Sequence, residues 1–138
     1  MAITITKELI DHVNNICAES KAWAEAAPEG DWRGYSSYDE DDMIRHSEHY
    51  TKGERSLTPA EWDQTKAWEV YSDAHKSAYG IRPRWTWWTD ETTERWESLS
   101  SDCYAQANAD YEREQARKEE EESYKFESPA ELQNNIQI

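Results

Sequence analysis

The chain has 138 residues, with 15 Lys and Arg against 30 Asp and Glu, a net charge of −15. That size suits one domain, and that charge opposes binding to a nucleic-acid backbone, where affinity comes from Lys and Arg neutralising phosphates. Ile, Leu, Val and Phe make up only about a tenth of the residues, a level typical of disorder, but eight Trp and eight Tyr can replace them, since each buried ring removes roughly 150–250 Å² from water.

The chain in order reads as helical. Ala2 to Ile10 is too short an apolar stretch, and too interrupted by Lys7 and Glu8, for a secretory leader. Thr6 is a candidate N-cap for a helix over 7–26, whose apolar stripe is Leu9, Val13, Ile16 and Trp23, widened by Ile10 and Cys17. Pro28 and Gly30 end it. In the following loop, 28–38, the rings of Trp32, Tyr35 and Tyr38 are expected to pin the segment onto the core. Asp39 caps a second helix, Glu40 to Thr51, with Met43, Ile44 and Tyr50 inward and Lys52-Gly53 as its stop.

The best-marked helix is the third, 59–79. Thr58 is its N-cap, Pro59 fits the first position, and Glu61 can close a capping box. Leu57 and Trp62 occupy the positions of a hydrophobic staple. Ala67, Tyr71, Ala74 and Ala78 make one row, with Trp68, His75 and Tyr79 beside it. Gly80 and Pro83 end the helix. Thr89 is the expected cap of a fourth, with Asp90 and Glu91 in its first turn and a stripe of Thr92, Trp96, Leu99, Cys103 and Ala107. Beyond Tyr111 the stripe gives way to charge, with pairs such as Glu114 and Lys118 in support. Ser128 to Glu131 repeats the capping grammar. We expect a helical domain over 1–126 and a short capped helix or loose tail over 127–138. The fold class is therefore all-α: a compact bundle of about four helices, a Trp/Tyr-rich core and an acidic C-terminal helical arm.

Two cysteines, Cys17 and Cys103, form no disulfide framework and read as reduced, buried thiols of a cytoplasmic protein. No apolar run reaches membrane-spanning length. His46 and His49 share a helix face with Asp42, but no strong fourth ligand is specified, so no metal is assigned and no cofactor is implied. Ser72, Asp73 and His75 are triad residue types on one helix, a spacing that cannot produce triad geometry, and His75 reads as a half-buried packing residue. No catalytic residue is assigned, and the chain is not read as an enzyme.

Residues 71–84, YSDAHKSAYGIRPR, resemble a segment of small tailed-bacteriophage proteins with the form Y-S-D-x-x-K-x-x-Y-G-x-R-P-R. The resemblance implies a phage origin, and with it the host cytoplasm. Small acidic proteins of phages commonly act against restriction and CRISPR nucleases. The acidic runs supply a contact surface of that kind: Asp39, Glu40, Asp41 and Asp42 in one block, and Glu112, Glu114, Glu119, Glu120, Glu121 and Glu122 in the other. The expected function is a phage-encoded inhibitor that binds a basic, nucleic-acid-binding host defence enzyme stoichiometrically, with DNA mimicry as its means. The alternative is a non-inhibitory adaptor that contacts its partner through Arg82, Arg84, Trp85, Trp87 and Trp88, since Trp and Arg dominate interface hot spots.

Overall fold

The computed structural model describes the backbone of residues 3–136 and the side chains of residues 3–124. Among the described residues four α-helices follow one another: α1 (Lys7–Glu25), α2 (Glu40–Thr51), α3 (Pro59–Tyr79) and α4 (Thr93–Ile136), with one 3-10 turn at Trp88–Asp90. Among the described residues there is no strand, and no helix is long and apolar enough to cross a membrane. The chain divides into two units, Met1–Trp68 with Trp88–Thr93, and Glu69–Trp87 with Glu94–Ile138.

Local capping sets the starts of three of these helices and the stops of two. Thr6 Oγ1 accepts from the Leu9 N–H at 3.3 Å. At α2 the Asp39 and Asp42 carboxylates each accept the other's backbone N–H, at 2.8 and 3.1 Å. Lys52 then turns left-handed at φ 57°, and the Gly53 N–H reaches back to Glu48 O at 2.8 Å, which satisfies a terminal carbonyl. At α3 Thr58 and Glu61 close their box at 3.0 and 3.1 Å. The Arg55 guanidinium forks onto the same Glu61 carboxylate at 2.6 and 2.8 Å and, with the Thr58 N–H, holds its pKa below the usual range. Gly80, at φ 81°, closes α3.

The first unit has a ring-rich interior. Leu9, Val13, Met43, Leu57 and Trp62 are essentially inaccessible. His46 lies 4.4 Å from Trp62 and 4.6 Å from Tyr50, ring centroid to centroid. Tyr50 stands edge-on to Trp68 and Trp88, the geometry that ring quadrupoles favour. Polar groups are satisfied locally: Ser47 Oγ accepts from Leu57 N–H at 3.1 Å, and Thr51 Oγ1 donates to Ser47 O at 2.8 Å.

Several sequence expectations are corrected here. Trp32 is 87% exposed, and Trp23 and Tyr35 are more than half exposed. The loop over 28–38 is held instead by Ser36 N–H donating to Ser20 Oγ at 2.8 Å and Arg33 donating to Trp23 O at 3.0 Å. Of its three rings only Tyr38 packs inward, edge-on to Trp62 at 5.4 Å. Cys17 is half-buried, whereas Cys103 is buried; both are free thiols. α4 begins at Thr93, not after Thr89. Trp88 is drawn into the first unit, its indole N–H donating to Tyr50 O at 3.1 Å. Gln64 bonds the carbonyls of Trp88 and Glu91 at 3.0 and 2.8 Å. These contacts hold residues 88–91 out of the helix. The capping pattern at Ser128 falls on residues whose side chains lie outside the described set.

The second unit contains Trp96, Ala74 and Cys103 as buried apolar residues. Tyr71 lies 5.1 Å from Trp96. Burial raises the pKa of both Tyr71 and Cys103.

Candidate functional site

Two surfaces carry the residues singled out from sequence. The first is acidic. In the block at the start of α2, Asp39 and Asp42 are engaged as caps, and Asp42 also pairs with Arg45 at 3.0 Å. The backbone bond from Asp39 leads the lowering of the Asp42 pKa. Glu40 and Asp41 stand exposed beside them, where negative charge suits the helix dipole. Half of this block therefore has a structural task.

Along α4, the segment 110–124 carries seven carboxylates against three cations. Arg117 bridges Glu114 at 2.7 Å and Glu121 at 2.5 Å, and Arg113 pairs with Asp110. The partner taken by Glu114 is thus Arg117, one position before the expected Lys118. Arg117 lowers the Glu114 pKa through its hydrogen bond and charge. All of these pairs are exposed, and such pairs contribute little to stability. Glu112, Glu119, Glu120 and Glu122 are exposed and make no ion pair among the described residues.

The second surface is the turn after α3. His75 donates its Nδ1–H to Ile81 O at 2.7 Å, the only sense possible against a carbonyl. Its ring lies beside Tyr71, Tyr79 and Trp85, at 5.8, 4.8 and 5.4 Å, so it is a packing histidine. Arg82 donates to Asp73 at 2.5 Å and to Ser72 Oγ at 3.2 Å. Ser72, Asp73 and His75 are thereby each committed to the turn. Arg84 and Trp85 are exposed, Trp87 is half-buried, and Trp88 is 4% exposed. Burial removes Trp88 from this contact surface. Sequence composition alone could not separate it from Trp85, since the two indoles lie three residues apart.

Around the turn, Lys76, Gly80, Ile81, Arg82, Arg84 and Trp85 line a groove of about 500 Å³. Sequence reasoning singled out its Arg and Trp residues but missed Ile81, the neighbour of Arg82, and Lys76, which the reversal of the chain at Gly80 brings to the same groove.

His46 has one ring nitrogen committed to the interior. Its Nε2 lies 2.8 Å from Thr65 Oγ1, whose own proton goes to Trp62 O at 2.7 Å. The imidazole must therefore donate, and Nε2 carries its hydrogen. Burial foremost, then the charges of Lys66 and His49, push its pKa down to about 3. Among the described residues no group of three His, Cys, Asp or Glu side chains could hold a metal ion.

The class defined by these observations is an all-α protein with a ring-rich interior and a strongly acidic composition. No family model, curated protein or solved structure matches the chain.

Proposed function

We propose that this protein is a non-enzymatic, stoichiometric inhibitor that binds a basic protein through an acidic arm formed by residues 110–124 of α4. The observation that carries the reading is the exposed carboxylate row Glu112, Glu119, Glu120 and Glu122 without internal ion pairs among the described residues. The phage-like segment over 71–84 supports a phage origin, a host nucleic-acid-binding nuclease or defence complex as target, and action in the host cytoplasm. Membranes and direct nucleic-acid contact have no part in it.

Charge density limits how the arm would imitate DNA. Over 110–124 the net charge is four negative. At 1.5 Å of rise per residue this is one charge per roughly 5–6 Å, against one per roughly 1.7 Å of duplex axis. Only the turn Glu119–Glu122 reaches phosphate spacing. The arm therefore acts by local carboxylate pairing with Lys and Arg, centred on that turn.

The test is DNA cleavage by restriction and CRISPR nucleases in the presence of the protein, at increasing ionic strength. Protection should weaken with salt and vanish on reversing Glu119–Glu122 to Lys. Protection by the reversed variant equal to that of the wild type would refute the reading. A second reading, an adaptor that works through the Arg84–Trp85 turn, is favoured by the 68% exposure of Trp85. It predicts that charge reversal on α4 leaves partner binding intact.

A further inference from the structure

The groove after α3 has the wrong sign for its surroundings. Acidic residues outnumber basic ones two to one in this chain, yet the charged residues lining the groove are Lys76, Arg82 and Arg84. Arg82 is neutralised by Asp73. Arg84 is the one arginine whose side chain has no partner among the described residues; the other seven bond to a carboxylate, a backbone carbonyl, a ring or another group. Lys76 is exposed and likewise has no side-chain partner among the described residues. Among the described residues, then, two cations without a carboxylate partner line one groove of a strongly acidic chain.

The walls are apolar and held in place. Ile81 and Trp85 are 57% and 68% exposed, while Pro83 between them is fully buried. The Thr86 N–H and hydroxyl both donate to Pro83 O, at 3.0 and 2.7 Å, and His75 holds Ile81 O from the other side. Arg84 and Trp85 are thus displayed from a turn whose base is anchored, which reduces the ordering cost of binding. Walls this exposed cannot enclose a small molecule, which normally buries 70–90% of its surface. Long-range repulsion from a charge of −15 opposes a polyanion. A short segment of chain with one or two carboxylates escapes both objections. Its charges meet Arg84 and Lys76 within the roughly 8 Å over which physiological salt leaves fields unscreened.

We infer that this groove binds a peptide segment of a partner protein in which an Asp or Glu stands next to an apolar side chain, the carboxylate taken by Arg84 and Lys76 and the apolar group laid against Trp85 and Ile81. This gives the adaptor reading a ligand class and does not depend on the acidic arm.

The experiment is selection of a displayed library of random dodecapeptides on the immobilised full chain, counter-selected on Arg84→Ala. Sequences with a carboxylate beside an apolar residue should be enriched. A selected peptide, measured by fluorescence anisotropy, should bind Arg84→Ala at least tenfold more weakly, and its Gln or Asn version should lose a similar factor on the wild type. Arg84→Lys should fall between. Reversal of Glu119–Glu122 to Lys should not weaken it. Arg84 is exposed, so the melting temperature should be unchanged. Basic peptides that bind Arg84→Ala as well as wild type report on the acidic arm; their recovery alone overturns the inference. So does a carboxylate peptide that binds Arg84→Ala within twofold of wild type. Binding of inorganic phosphate in place of any peptide, lost with Arg84→Ala, overturns it in favour of a small-anion site.

Discussion

Acidification from pH 7.5 to 5 should destabilise the fold through His46, and the size of the effect follows from its surroundings. The neutral ring donates Nε2–H to Thr65 and packs between Trp62 and Tyr50. An added proton lands on Nδ1 in that half-buried site, with Lys66 and His49 adding positive charge. The folded pKa, about 3, lies below the unfolded value of about 6.5. Between those values the unfolded chain binds a proton that the folded one refuses, so stability falls as pH falls. At pH 5 the full linkage is about 2 kcal/mol. Discounting by half for the solvent that still reaches the ring leaves ~1 kcal/mol, or roughly 3 °C in melting temperature for a chain of this length. The assay is urea unfolding of the wild type and His46→Gln at pH 7.5, 6.5, 5.5 and 5. Comparison with the variant is needed because loss of negative charge relieves self-repulsion in both. The difference between their stabilities should shift by ~1 kcal/mol over this range in the direction that disfavours the wild type at low pH. Parallel pH profiles would refute the placement of a neutral imidazole in the interior.

Thr58→Ala should cost about 1 kcal/mol in urea unfolding, because it removes one half of the box that Arg55 reinforces. Trp62→Ala should cost roughly 3–5 kcal/mol, since its ring is fully buried against His46 and Tyr38; a loss below 1 kcal/mol would place it at the surface. Thiol titration of the native protein should label Cys17 well before Cys103, which becomes reactive only on unfolding. Equal rates would contradict the burial that raises the Cys103 pKa.

Much of the helical plan was legible because it rests on neighbours in sequence. Thr6, Asp39, Thr58 and Gly80 act within a turn of themselves, so their capping grammar can be read without knowing what packs where. Leu9, Val13 and Met43 were likewise visible as inward positions from helical spacing, and Leu57 and Trp62 as the two positions of a hydrophobic staple. The candidate surfaces were legible only as composition: the carboxylate runs and the Arg/Trp cluster were seen, but their division into paired and unpaired groups was not.

Tertiary contacts decided the rest. A ring has the same appetite for burial wherever it occurs, so sequence could not tell that Trp88 would be taken inward by Tyr50 and Gln64 while Trp85, three residues earlier, would stay in water. The same competition left Trp23, Trp32 and Tyr35 outside and delayed the start of α4 to Thr93. Helix ends are settled by bonds spanning three or four residues, whereas choosing which indoles enter a limited interior requires the whole chain to be folded around them.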